Sequence, residues 1–120
     1  MTQYVDGFLL PVAADKLDDY KKLANKAGEV WIDHGALAYW ETVGDDLGGE
    51  EARSFRICAD AKENEVVIFA WVVYPSRDVR DRVMAAVMED PRLCEDTEMP
   101  FDMKRMAHGG FKPLVIVEKK

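Results

Sequence analysis

The chain opens on alternation. In residues 3–12, QYVDGFLLPV, Tyr4, Asp6, Phe8 and Leu10 fall on one side and Val5, Gly7 and Leu9 on the other, the two-residue period of a strand. Pro11 ends that strand or marks a sheet edge. From residue 15 the period changes. Leu17, Tyr20, Leu23, Ala24, Ala27, Val30, Trp31 and His34 recur at three- and four-residue steps, one face of a long helix. Asp15, with Asp18 three residues on, is its expected N-cap, and Gly35 its expected C-cap. Residues 36–43, ALAYWETV, predict a second strand. The glycines and acidic residues after it predict a solvated loop, the most mobile segment expected. Residues 54–59, SFRICA, predict a short strand or hairpin arm, and residues 66–74, VVIFAWVVY, the strongest strand, rich in β-branched and aromatic residues.

At Tyr74-Pro75-Ser76 the apolar run stops. Pro75 has no N–H for a sheet ladder, and Ser76 is a good N-cap for a helix carrying Val79, Val83, Met84, Val87 and Met88 on one face. Asp78 in its first turn suits the helix dipole. Ser76 has neither an adjacent histidine nor nucleophile-elbow glycines, so the junction reads as punctuation and not as a catalytic serine. Residues 90–106 hold two prolines and read as loop or short helical turns, and residues 107–118 as a last strand entered through Gly109-Gly110. The order predicts an α+β fold of the ferredoxin-like, split βαβ kind: an antiparallel sheet with two helices on one face. A chain of 120 residues suits one such domain, spanning residues 1–120.

The sheet is apolar on both sides. Val67, Phe69, Trp71 and Val73 point one way and Val66, Ile68, Ala70, Val72 and Tyr74 the other, where a half-wet strand would alternate apolar with polar. Leaving one face bare would expose on the order of several hundred Å² of apolar surface, near the limit for a monomer. A second copy across a two-fold axis is the expected cover, giving a homodimer through the sheet faces. The alternative is that residues 44–60 fold back over that face.

Composition narrows the partners. A net charge of −7 opposes binding to nucleic acid, and no RNP-type aromatic strand pattern is present. No apolar run approaches the roughly 18–20 residues of a membrane helix, and the first residues lack a basic start and a long apolar stretch. Neither nucleic acid nor membrane is therefore an expected partner, and the cytoplasm is the expected compartment. Cys58 and Cys94 show no CxxC spacing and are expected as buried free thiols. Two isolated histidines and two lone cysteines give no metal-ligand spacing, and no cofactor is expected.

Several stretches, YVDGFLLPV, VWIDHGALAYWE, VIFAWVVYPSR, MEDPRL and MPFDMKRMAHGGF, together resemble the YbaA-like family of uncharacterised bacterial proteins, within the dimeric α/β-barrel superfamily. The resemblance runs from about residue 3 to residue 117. It implies a ferredoxin-like fold and a dimeric barrel, and no reaction. Superfamily relatives include cofactor-independent monooxygenases, haem-degrading enzymes and isomerases, an analogy of fold alone.

Chemistry has few places to sit. His34, at the C-terminal end of the long helix, suits proton transfer or a metal; a helix-ending histidine bonding a free carbonyl is the plainer reading. His108, before Gly109-Gly110 and near Lys104 and Arg105, suits a small anion-binding corner; a strand-entry bulge with solvated basic residues, and Asp102 pairing with Arg105, is the plainer reading. Glu41 shares a strand face with Tyr39 while Trp40 takes the other; a glutamate aimed into an apolar cavity would serve as a base, whereas on an outward face, the plainer reading, it is ordinary surface. Tyr20, Trp31, Phe69 and Trp71, with Tyr39 and Arg105, are the candidate lining of a ligand site, although such aromatics also make ordinary core. Three readings follow: a homodimer binding a small, largely apolar molecule between sheet and helices; a cofactor-independent monooxygenase or isomerase using His34 or Glu41 as base with His108 steering an oxyanion; and a structural or interaction module without a ligand.

Overall fold

The change of period near residue 15 is a change of element. In a computed structural model, which describes residues 3–49, 51–94 and 99–120, the chain runs β1 (Tyr4–Ala13), α1 (Leu17–His34), β2 (Ala38–Val43), α2 (Phe55–Cys58), β3 (Glu65–Tyr74), α3 (Arg77–Glu89), α4 (Pro91–Cys94) and β4 (Ala107–Phe111). Single 3-10 turns precede α1 at Ala14–Lys16 and β4 at Met103–Arg105. Glu50 of the acidic loop, residues 95–98 and the Cys94 side chain lie outside the description.

The strands form one antiparallel sheet in the order β2-β3-β1-β4. Both long helices lie on one face, which makes the fold ferredoxin-like. Leu10, Val12, Ile68 and Ala70 of the sheet pack with Tyr20 and Ala24 of α1. Val72 and Tyr74 pack with Val30 of α1 and Val83 and Val87 of α3. The even-numbered residues of β3 thus face the helices. α1 ends at Gly35, where φ is +126°, a conformation that favours glycine. A Cβ there would also lie 3.4 Å from a methyl of Val83, so the same residue lets α3 approach.

Pro75 and Ser76 act as expected: Ser76 Oγ accepts the N–H of Val79 at 3.1 Å and caps α3. The N-cap of α1 is Lys16 and not Asp15, because the 3-10 turn at Ala14–Lys16 takes up Asp15. Pro11 does not end β1, which continues to Ala13; β4 reaches only as far as Leu9, so the side on which Pro11 lacks its N–H has no neighbouring strand to miss it. Met88, expected on the buried face of α3, is exposed.

Two expected strands change. Residues 54–59 form the helical turn α2, not a strand: Ser54 Oγ accepts the N–H of Arg56 at 3.1 Å, and the Arg56 guanidinium donates to the carbonyls of Glu65 and Lys62. Cys58 on this turn is exposed, not buried. The last strand stops at Phe111 instead of reaching residue 118. Phe111 is already opposite Val5, so Lys112 would meet Tyr4, the first residue of β1, and Pro113 cannot donate.

The face away from the helices is only partly covered. The α2 segment lies over its far end, with Phe55 against Phe69 and both Ala59 and Val67 buried. The remainder is open: Trp40 is 57% exposed, Phe69 45% and Phe111 61%. Trp40 and Trp71 stack there, centroids 5.4 Å apart and planes 12° off parallel.

Candidate functional site

Register on β2 decides which of its aromatics looks inward. Tyr39 pairs with Val72 and Glu41 with Ala70, both helix-facing, so Tyr39 and Glu41 look toward α1 and Trp40 looks away. Gly28 makes this possible, since a Cβ on it would come within 2.8 Å of the Tyr39 ring. About two turns earlier on the same helix, Tyr20 reaches Glu41. Its hydroxyl donates to Glu41 Oε1 at 2.5 Å, and the Tyr39 hydroxyl donates to Glu41 Oε2 at 2.5 Å. Burial first, and the Glu41 charge second, push both phenols well above the ordinary tyrosine range, so they remain neutral donors.

A second polar string begins beside the first. The Trp31 ring lies 5.7 Å from Tyr39, and its Nε1 donates to the Tyr74 hydroxyl at 3.0 Å. That hydroxyl donates to Asp6 Oδ2 at 2.8 Å, and burial together with Asp6 pushes its pKa up as well. Asp6 Oδ1 lies 3.5 Å from Arg80 Nε, and Arg80 Nη2 donates to the Tyr4 hydroxyl at 3.2 Å while the guanidinium sits 4.9 Å from the Tyr4 ring centre. Sequence reasoning passed over Asp6, although an acid in an otherwise apolar strand is itself a signal: a buried carboxylate demands donors.

The other candidates separate. Glu41, Ala70, Phe8 and His108 form one cross-strand row on the helix face. Glu41 and His108 occupy its two ends, three strand spacings or about 14 Å apart. They cannot meet at one substrate atom. His108 is exposed, its ring 5.9 Å from that of Phe8. His34 is tied up at the end of α1: its Nε2 lies 2.8 Å from Asp90 Oδ2, and Arg92 bridges Asp90 and Asp33. Arg92 and then His34 hold the Asp90 carboxyl well below the usual carboxylate range.

Arg105 is committed elsewhere. Its two terminal nitrogens donate to Glu65 at 2.7 and 2.6 Å, one of them also to the Asp60 carbonyl, while Nε donates to Asp102. Arg105 is the main reason that Glu65 is pulled down to about 2. Phe69 and Trp71 lie on the open sheet face, away from Tyr20, Trp31 and Tyr39. Among the described residues no group of three His, Cys, Asp or Glu side chains converges as a metal site would require. A shallow cleft of about 460 Å³ runs along the outside of α1, lined by Lys16, Lys22, Leu23, Lys26, Met99 and Pro100. None of the sequence candidates lines it. Among the described residues no helix is long and apolar enough to cross a membrane.

Comparison with known proteins agrees with this architecture. The chain is 44% identical over 114 residues to the uncharacterised protein YbaA of Escherichia coli K12, covering 94% of this chain and 97% of that one, and equally to YbaA of Shigella flexneri. Its fold is similar to that of a mutant of SnoaB, a cofactor-independent oxygenase from Streptomyces nogalater, with a TM-score of 0.57 at 12% identity over 99% of this chain and 100% of that one. A putative antibiotic biosynthesis monooxygenase from Nitrosomonas europaea matches with a TM-score of 0.56 at 16% identity, over 93% and 90% of the two chains. At such identities the likeness is one of fold alone, the ferredoxin-like arrangement described above. Residues 3–103 match the model of a protein family of unknown function, DUF1428, and the chain belongs to that family together with the YbaA proteins.

Proposed function

We propose that this protein is a homodimer that binds a small, largely apolar molecule between its sheet and α1, with the Glu41–Tyr20–Tyr39 group as the polar end of the site. One observation carries the reading: both oxygens of a carboxylate are held by phenol donors from two elements on an otherwise apolar face. The group lies on an edge strand, where Tyr39 and Glu41 are only half-buried, so a ligand approaches it from the β2 edge without crossing the core. A small site of this kind combines apolar walls with a few fixed polar groups.

The shape of the open face supports the dimer. Trp40, Trp71, Gly7 and Gly109 form one cross-strand row, with two tryptophans on the β2–β3 half and two glycines on the β1–β4 half. The Phe111 ring lies over both glycines, so each half carries exposed aromatic surface, and a two-fold axis running along the strands would set the tryptophan half of one copy against the Phe111 half of the other. Trp40→Glu would place a charge in that contact, and sedimentation velocity should then show monomer where the parent protein shows dimer.

A second reading, turnover, is favoured by the same group. Glu41 is a carboxylate able to take a proton from an activated carbon acid; once it is neutral, the two phenols that donated to it can turn their single protons to the resulting enolate oxygen. His34 sits at the far end of α1 in a bond with Asp90, and His108 at the opposite end of the row from Glu41, so Glu41 is taken as the base. The fold neighbour described as a cofactor-independent oxygenase supports this reading by analogy.

Calorimetric titration with 1-naphthol, an apolar ring with one hydroxyl, tests the binding site. Losing a hydrogen bond to a charged acceptor costs about 1.5–3 kcal/mol, so Glu41→Gln should weaken binding by about tenfold or more. Equal binding by parent and variant would remove Glu41 from the site.

A further inference from the structure

Hydrogen-bond donors outnumber acceptors where α3 meets the start of β1. Arg80 reaches from α3 to Tyr4 and Asp6, and of all the N–H groups on its guanidinium one is taken up in a hydrogen bond among the described residues, from Nη2 to the Tyr4 hydroxyl at 3.2 Å. Nε is buried 3.5 Å from Asp6 Oδ1 without bonding it, and Nη1 lies 3.4 Å from Asp81 Oδ1. Tyr4 is 6% exposed, and its hydroxyl, which accepts from Arg80, keeps a proton with no acceptor among the described residues. Charge is balanced here, with Arg77 and Arg80 against Asp6 and Asp81; hydrogen bonding is not. Buried donors without acceptors are costly, so the surplus favours an acceptor-rich guest.

The surplus opens at Gly110. β4 is an edge strand, and Gly110, opposite Asp6, is exposed. A Cβ on Gly110 would collide with both Arg80 Nη2 and the Tyr4 hydroxyl, so the missing side chain is what lets both donors lie at the strand edge. Two residues earlier on the same side of β4, His108 stands opposite Phe8, the two rings 5.9 Å apart. His108 is exposed and Phe8 half-buried, and the pair lies about 7 Å along the strand from Gly110. A corner rich in donors thus continues, along one open edge, into an aromatic surface.

We infer that the β4 edge binds a small monocarboxylate with an apolar body, its carboxylate over Gly110 accepting from the Tyr4 hydroxyl and the Arg80 guanidinium, and its body resting on the Phe8–His108 pair. Guanidinium and carboxylate match in geometry, and both carboxylate oxygens can be engaged at once. A carboxylate brings its acceptors with a single charge, whereas a phosphate would set a larger charge against Asp6 and Asp81. The spacing of about 7 Å between Gly110 and the ring pair suits a body the size of a benzene ring. This site is separate from the Glu41 group. Tyr39, Val72, Asp6 and Gly110 form one cross-strand row with Tyr39 and Gly110 at its opposite ends, about 14 Å apart, so the inference does not rest on the binding proposed above.

The Nε–H resonances of the arginines, followed by NMR during titration with sodium benzoate at constant ionic strength, test the site. The Arg80 signal should shift saturably with a Kd of about 1 mM or tighter, while that of Arg92, whose Nε is bonded to Asp90, should stay in place. Acetate, which lacks the ring, should bind about tenfold more weakly. Tyr4→Phe keeps the ring under Arg77 and Arg80 and removes the hydroxyl alone, and it should weaken benzoate by about tenfold or more. Gly110→Ala, in a chain that circular dichroism shows to be folded, should abolish the shift. An Arg80 signal that does not saturate, that follows chloride as readily as benzoate, or whose response Tyr4→Phe leaves unchanged would overturn this inference and leave the Glu41 site standing.

Discussion

Raising the pH above 10 should destabilise this protein, because in the folded chain three phenols hold their protons well above the ordinary tyrosine range. Tyr20 and Tyr39 donate to Glu41 and Tyr74 donates to Asp6; burial is the largest cause of each raised pKa and the neighbouring carboxylate the next. In the unfolded chain tyrosine loses its proton near 10. The folded state therefore binds more protons than the unfolded state above that pH, and stability falls as pH rises. Below about pH 9 both states hold all three protons and the linkage vanishes.

Each phenol contributes a limiting slope of about 1.4 kcal/mol per pH unit, or about 4 for the three. By about pH 11 the accumulated loss is about 4 kcal/mol, set against a total of roughly 6–18 kcal/mol for a chain of this length. The assay is urea denaturation at half-unit steps of pH, with phenolate absorbance recorded on the same samples. Phenolate from these three residues should appear together with unfolding. Tyr20→Phe, Tyr39→Phe and Tyr74→Phe should each remove about a third of the slope while lowering stability at neutral pH. Three phenols titrating normally in a protein that remains folded would refute the reasoning, since the carboxylates could not then be holding neutral donors.

On the acid side, Arg105 holds Glu65 at about 2 against an ordinary 4.5, so its contribution is present above about pH 4.5 and is lost as pH falls toward 2. Arg105→Gln should lower the melting temperature at neutral pH, with the gap closing near pH 2; a gap independent of pH would mean that Arg105 acts through packing alone. Gly28→Ala gains about 1 kcal/mol of helix propensity but drives a methyl against the Tyr39 ring, whose hydroxyl is fixed on Glu41. The overpacking cost of about 1–3 kcal/mol should win, and a raised urea midpoint would show that Tyr39 is free to swing. Val83→Ala removes two buried methyl groups from the contact between α3 and Gly35 and should cost about 2–3 kcal/mol by urea denaturation.

How much of this could be read from the sequence depends on how far each signal travels along the chain. The Pro75-Ser76 handover was legible because both causes, a missing N–H and a capping hydroxyl, are local. The antiparallel sheet with helices on one face was legible from the order of periods. SFRICA misled because six residues fit one helical turn as well as a short strand, and what settled it was the Arg56 guanidinium reaching carbonyls six and nine residues on. The end of β4 depends on where β1 begins, more than a hundred residues earlier.

The site was legible only in its parts. Tyr39 and Glu41 share a face by parity alone, but β3 is apolar on both sides, so nothing in it says which side the helices take. The choice is made at a distance, by Tyr20 and Gly28 on α1: one supplies a donor to Glu41 and the other the space for Tyr39. With Tyr39 inward, Trp40 must face outward, next to Trp71. The same register that builds a carboxylate site on one side of β2 therefore builds the tryptophan stack on the other, which ties site and proposed interface together. A one-residue slip of β2 would bring Trp40 against α1 and move Glu41 into the open face, losing both at once.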